Sequence, residues 1–167
     1  MTRVTPAIRL AAMSLSFVAA AACTEPRARS TAAAPVPALE ARIEVSDTLP
    51  TPGTSVEVRV RVAGRTAARM ASFVDRIAYD SLGLRYLGDV ALADGATRVT
   101  NPTAGLIRSA GVRADGFGDG LLAAYRFEVH RPSALASLKL TIDELHAIDH
   151  SDASPMLSVA RAPVLRP

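Results

Sequence analysis

Four side chains that could hold a metal lie within seven residues near the C-terminal end: His146, Asp149, His150 and Asp152. Imidazole and carboxylate ligands at that density suit a transition ion. With no third nearby histidine and no neighbouring thiol, they read more simply as a polar loop between two strands. Asp115 and Asp119 flank glycines in Asp115–Gly120 (DGFGDG) and could offer oxygen to calcium. A calcium loop needs more carboxylates than this run supplies, so it reads as a turn. Serine, histidine and aspartate all occur, but no G-x-S-x-G elbow precedes a helix and no cysteine sits beside a base. The glycine run lacks the lysine of a P-loop and the G-x-G-x-x-G spacing. We therefore expect no enzyme activity, no metal and no cofactor. One nucleophile remains, the single thiol of Cys23.

Cys23 follows an export-like leader. Arg3 and Arg9 supply positive charge, Ala11–Ala22 is uncharged and apolar, and the run ends in small residues. It is short for a membrane span and has the form of a cleaved signal. The cysteine directly after Ala20-Ala21-Ala22 resembles the lipobox of bacterial lipoproteins, with Ala20 where a leucine is usual. That resemblance implies a signal peptide over 1–22, acylation of the Cys23 thiol, and a protein lipid-anchored outside the cytoplasm, at an outer membrane or cell surface. The other reading is an ordinary signal peptide with an incidental cysteine.

Removing 22 of 167 residues leaves 145, enough for one domain with its own core. The chain holds 19 Lys+Arg against 16 Asp+Glu, and the leader takes two arginines with it. The remainder is close to neutral, so a nucleic-acid partner is not expected. With no cysteine besides Cys23, no internal disulfide can form. There is no tryptophan and only 4% aromatic residues, which weighs against a flat aromatic platform for sugars.

Residues 23–40 are rich in Pro, Ala, Ser and Thr without a sustained apolar period, and read as a tether. From Ala41 to the C-terminus the pattern is that of strands. Val56, Val58, Val60 and Val62 alternate with Glu57, Arg59 and Arg61, the mark of a strand with one buried and one wet face. Phe73, Ile77 and Tyr79 share parity, as do Tyr125, Phe127 and Val129, and Leu138, Leu140 and Ile142. Val99 and Leu106–Val112 are shorter candidates separated by Asn101-Pro102, and Met156–Val164 can form a last strand. A helical turn over Ile142–Ile148 is an alternative at one end. About eight or nine strands with regular turns predict an all-β, antiparallel jelly-roll or immunoglobulin-like sandwich. Arg59 and Arg61 are expected on the solvated face of an edge or outer strand. Asp75 shares parity with Phe73 and Ile77 and so points inward. A lone buried carboxylate is costly, which calls for a bulge, a sheet-edge position, or an ion pair with Arg108 or Arg126.

The order of these pieces resembles the cohesin domain, the jelly-roll module of cellulosomal scaffoldins. The likeness rests on Thr51–Val60 (TPGTSVEVRV), on Ala71–Asp80 (ASFVDRIAYD) followed by Leu84-Arg85-Tyr86, on Asp119–Val129 (DGLLAAYRFEV), and on Leu138–Ile142 through Glu144-Leu145. Within it, Tyr79 can bury its ring and send its hydroxyl to the rim. Asp80 can accept amide hydrogens in the following turn. Gly53 and Gly120 permit positive φ at strand entries. The resemblance implies a non-enzymatic module that docks a dockerin-like protein on one sheet face. Cohesins place Asn and Asp near the Tyr-Asp strand on that face, and the matching positions here are Ser72 and Val74. By strand parity Ser72, Val74 and Arg76, with Arg126 and Glu128, are the candidate partner-binding residues. A carbohydrate-binding module serving polysaccharide breakdown is the alternative, with polysaccharide as its partner.

Overall fold

The computed structural model describes residues 38–165. Cys23, the leader and the tether up to residue 37 lie outside them. The described residues form ten strands in two sheets. Sheet A contains β1 (Leu39–Val45), β2 (Ser55–Gly64), β4 (Leu84–Asp89), β7 (Leu121–Val129), β9 (Leu157–Val159) and β10 (Val164–Leu165). Its order is β10-β1-β2-β7-β4, and β9 also pairs with β1. Sheet B contains β3 (Met70–Ala78), β5 (Thr97–Thr103), β6 (Leu106–Val112) and β8 (Lys139–Ala147), ordered β5-β6-β3-β8. Three short 3-10 turns are the only helical elements among the described residues. The fold is thus the all-β sandwich that the alternation predicts.

β2 is the plainest case. Val56, Val58, Val60 and Val62 are buried, and Glu57, Arg59 and Arg61 face outward. It pairs antiparallel with β1 on one side and β7 on the other, so Arg59 and Arg61, expected on an edge or outer strand, sit on the outward face of an inner one. β1 begins at Leu39, which is buried, two residues before the expected start of the domain. The segment considered as a helical turn, Ile142–Ile148, mostly belongs to β8. The expected last strand is two, β9 and β10, both parallel to β1. β5 continues through Asn101-Pro102, which sequence reading placed between strands. Pro102 has no amide hydrogen, and β5 tolerates it because it is a sheet edge with a partner on one side only.

The core lies between the sheets. Phe73 and Phe117 meet edge-to-face with centroids 5.5 Å apart. Tyr79, partly buried, packs its ring on Phe127 at 5.1 Å and donates its hydroxyl to the Thr103 carbonyl. Asp80 accepts the Leu82 amide at 3.0 Å and pairs with Arg131 at 2.6 Å. Gly53 and Gly120 adopt φ of 86° and 74°. At Gly120 the need is double, because a Cβ there would stand 2.0 Å from the Val62 carbonyl oxygen.

Candidate functional site: the outer face of sheet B

Alternation along the four strands of sheet B decides which side chains share its outer face. The register sets them in rows. Thr97, Val112, Ser72 and His146 form one row; Val99, Ala110, Val74 and Glu144 the next; Asn101, Arg108, Arg76 and Thr141 the third. The centre is apolar. Val99 is 68% exposed and Val112 is 52% exposed, and with Ala110 and Val74 they line a shallow groove of about 290 Å³.

The rim is charged. Arg108 and Arg76 stand directly opposite each other across β6 and β3. Like charges in that position repel. Only Arg76 is compensated, by Asp143 on β8 at 2.5 Å. Arg108 is exposed and makes no hydrogen bond or ion pair among the described residues. Glu144 and His146 complete the opposite flank, with His146 Nε2 4.0 Å from the Glu144 carboxylate.

The structure gathers Ser72, Val74 and Arg76 on this face. It does not bring Arg126 and Glu128 to them. Those two lie on β7, on the outside of sheet A, where Glu128 pairs with Arg85. Parity gave their outward direction but not their sheet. That opposite surface is a lattice of ion pairs. Glu44 is 2% exposed although it faces outward, covered by Arg42 and Arg61, whose guanidinium nitrogens reach it at 2.8 Å and 3.2 Å. Sequence reading missed Val99, Arg108, Ala110 and Val112. The signal available was their shared parity within Thr97–Thr103 and Leu106–Val112.

Asp75 points inward as its parity demands, but the expected ion pair is absent. Arg108 faces the other side of its sheet and Arg126 the outside of the other sheet. Asp75 is 0% exposed, with no hydrogen-bond partner in good geometry on either carboxylate oxygen. Burial raises its pKa to about 7, against a lowering by the nearby hydroxyl and amide of Ser109 opposite. Ser109 is itself hydrogen-bonded to the Tyr125 hydroxyl reaching across from sheet A.

The remaining candidates are structural. Among the described residues, no three His, Cys, Asp or Glu side chains gather as metal ligands. Asp149 accepts from Ser151, Asp152 caps the amide of Ser154, and His146 bridges Asp152 through the backbone. Asp119 accepts the Leu121 amide at 3.0 Å, as a turn residue does. Every described aromatic ring packs in or against the core, so none forms a stacking platform on an outer face.

No protein-family model matches the chain, and no curated protein matches it. Solved structures do. The sixth cohesin of scaffoldin B from Acetivibrio cellulolyticus, solved in complex with a Cel5 dockerin, is 15% identical, with 76% of this chain and 99% of that one covered at a TM-score of 0.56. The type II cohesin A11 of Bacteroides cellulosolvens is 12% identical, with 76% and 99% covered at 0.58. A non-cellulosomal cohesin of the archaeon Archaeoglobus fulgidus is 18% identical, with 77% and 92% covered at 0.54. Near-complete coverage of single modules by a ten-strand sandwich of two sheets establishes that this chain carries the cohesin fold.

Proposed function

We propose that the domain is a non-enzymatic docking module whose outer sheet B face receives a folded protein partner. The observation that carries this reading is the apolar row Val99–Ala110–Val74, exposed at Val99 and Ala110 and half-buried at Val74, beside an arginine with no countercharge. A partner that fits would present an aliphatic ridge to the groove and a carboxylate to Arg108. Burying the valines supplies the affinity and the charge pair fixes orientation. Cohesins of this fold solved together with dockerins support a protein partner. The polar pair that the resemblance places here is replaced by Ser72 and Val74, so the partner meets one hydroxyl and one aliphatic side chain at this point.

The same proposal places the domain at the cell envelope, held by an acylated Cys23 through the tether. Support comes from the leader and its terminal cysteine alone. Two experiments test the two halves. A photo-crosslinking residue at Val99 is expected to capture a discrete partner in cells, while one at Arg126 captures none; Val74→Asp should abolish the Val99 adduct. Equal adducts from both positions would remove the assignment to sheet B. Cys23→Ala should move the protein from the membrane to the soluble fraction, and continued membrane association would exclude the lipid anchor.

A further inference from the structure

At the end of the sandwich where β1 runs out lies an apolar pocket of about 500 Å³. Three stretches of chain build it. Val45 closes β1 and Leu49 stands in the loop that follows. Pro132, Leu135 and Ala136 belong to the 3-10 turn Pro132–Ser137, and Pro163 precedes β10. Val45 and Leu135 are buried, while Ala136 is exposed. No ionisable side chain lines the hollow. A pocket of this size and composition takes hydrocarbon and excludes charge.

Beside the hollow stands a knob. Leu49 is 87% exposed, more than any other large apolar side chain among the described residues. The loop fixes it there. Its amide is held by the Asp47 carboxylate at 2.8 Å, and the next residue, Pro50, is buried. A residue that precedes proline is confined to extended backbone, so Leu49 has little freedom to fold back.

Two charges adjoin the same pocket. Asp47 comes one residue before the wall residue Thr48, and Arg161 one residue before the wall residue Ala162. Both are exposed. Asp47 makes no ion pair, and Arg161 makes no hydrogen bond or ion pair, among the described residues. Arg131, beside Pro132, is already held by Asp80 at 2.6 Å. This end therefore carries a knob and a hollow, an unpaired anion and an unpaired cation.

A patch that holds both members of each complementary pair can bind itself, because a two-fold axis makes every such contact twice. We propose that this end of the sandwich is a self-association surface whose partner is a second copy of this chain. Leu49 of each copy enters the pocket of the other, and Asp47 of each faces Arg161 of the other. Burial of hydrocarbon supplies the attraction, and the two charge pairs select the arrangement. Both copies use the same patch, so assembly closes at two. A free hydrocarbon ligand would fill the hollow yet leave Leu49 in water and both charges unpaired. None of these residues lies on the outer face of sheet B, so pairing here is independent of docking there.

The test is photo-crosslinking of the full chain in cells that express two differently tagged copies. A crosslinking residue at Thr48 is expected to give an adduct that carries both tags. Leu49→Asp removes the knob and Ala136→Trp fills the hollow; each should cut that adduct about tenfold, as loss of a central contact does. Asp47→Arg or Arg161→Asp alone sets like charges against each other and should reduce it several-fold, and the double variant should restore it. All four positions are exposed, so the variants keep the fold of the parent. Absence of a two-tag adduct, an adduct with a lipid or a different protein alone, insensitivity to Ala136→Trp, or no rescue by the double variant would overturn the proposal.

Discussion

Arg98 on β5 donates its Nε to the carbonyl oxygen of Leu122 on β7 at 2.5 Å, and so ties sheet B to sheet A. The same guanidinium holds Asp94 in a two-pronged ion pair. Both side chains are more than three-quarters buried. Arg98→Ala is expected to cost about 1–3 kcal/mol in urea denaturation, because it leaves the Leu122 carbonyl without its side-chain donor and the Asp94 carboxylate with only the Ala96 amide. Arg98→Lys should recover little of that, since an ammonium cannot serve three acceptors in the fork geometry.

Arg98 also holds the Asp94 carboxyl at a pKa of about 2, below its usual value. A depressed acid stabilises the fold above the unfolded pKa of about 4, and that contribution is lost as pH falls through 2. Asp94→Asn should therefore be less stable than the parent at pH 7 and converge with it near pH 2. Denaturation midpoints across that range provide the measurement.

Asp75 has the opposite sign. Its folded pKa of about 7 lies above the unfolded value, so the folded state binds the extra proton between pH 4 and pH 7. Stability falls as pH rises through that window and is level on either side. Asp75→Asn should remove the slope. The variant is expected to match the parent at pH 4 and exceed it by about 2–4 kcal/mol at pH 8, if its amide finds partners at Ser109 and Tyr125. A parent whose stability rises from pH 4 to pH 8 while the variant stays flat would contradict the buried, unpaired state of this carboxyl.

Two glycines with similar backbone angles should differ in their response to alanine. Gly53 has open space where a Cβ would stand, so Gly53→Ala meets only the strain of positive φ, about 1 kcal/mol. At Gly120 the Cβ would meet the Val62 carbonyl at 2.0 Å, and β7 must shift to admit it. Gly120→Ala is expected to cost at least about 2 kcal/mol more than Gly53→Ala by thermal or chemical unfolding.

Much of this architecture is legible in the sequence. The valines of β2 and the Tyr125–Val129 alternation of β7 give strand type and face because a strand has a side-chain period of two. That same rule correctly sends Asp75 inward. It cannot say what stands opposite, and the true neighbours, Ser109 and Tyr125, come from two strands far along the chain. Arg126 and Glu128 show the same limit. Outwardness is local, whereas membership of sheet A or sheet B is set by pairing that only the folded chain reveals. The strand expected at Val99 was cut short by Asn101-Pro102, since proline ends most strands and an edge position is what rescues it here.

That proline also shapes how copies of this domain can meet. A strand seeking to extend sheet B along β5 finds no amide hydrogen at Pro102, so growth of a shared ladder from one molecule to the next is interrupted there. Domains crowded side by side would resist templating one another into filaments. The exposed Val99 and Val112 lie on the face of the sheet, so the surface proposed for docking stands apart from this backbone margin.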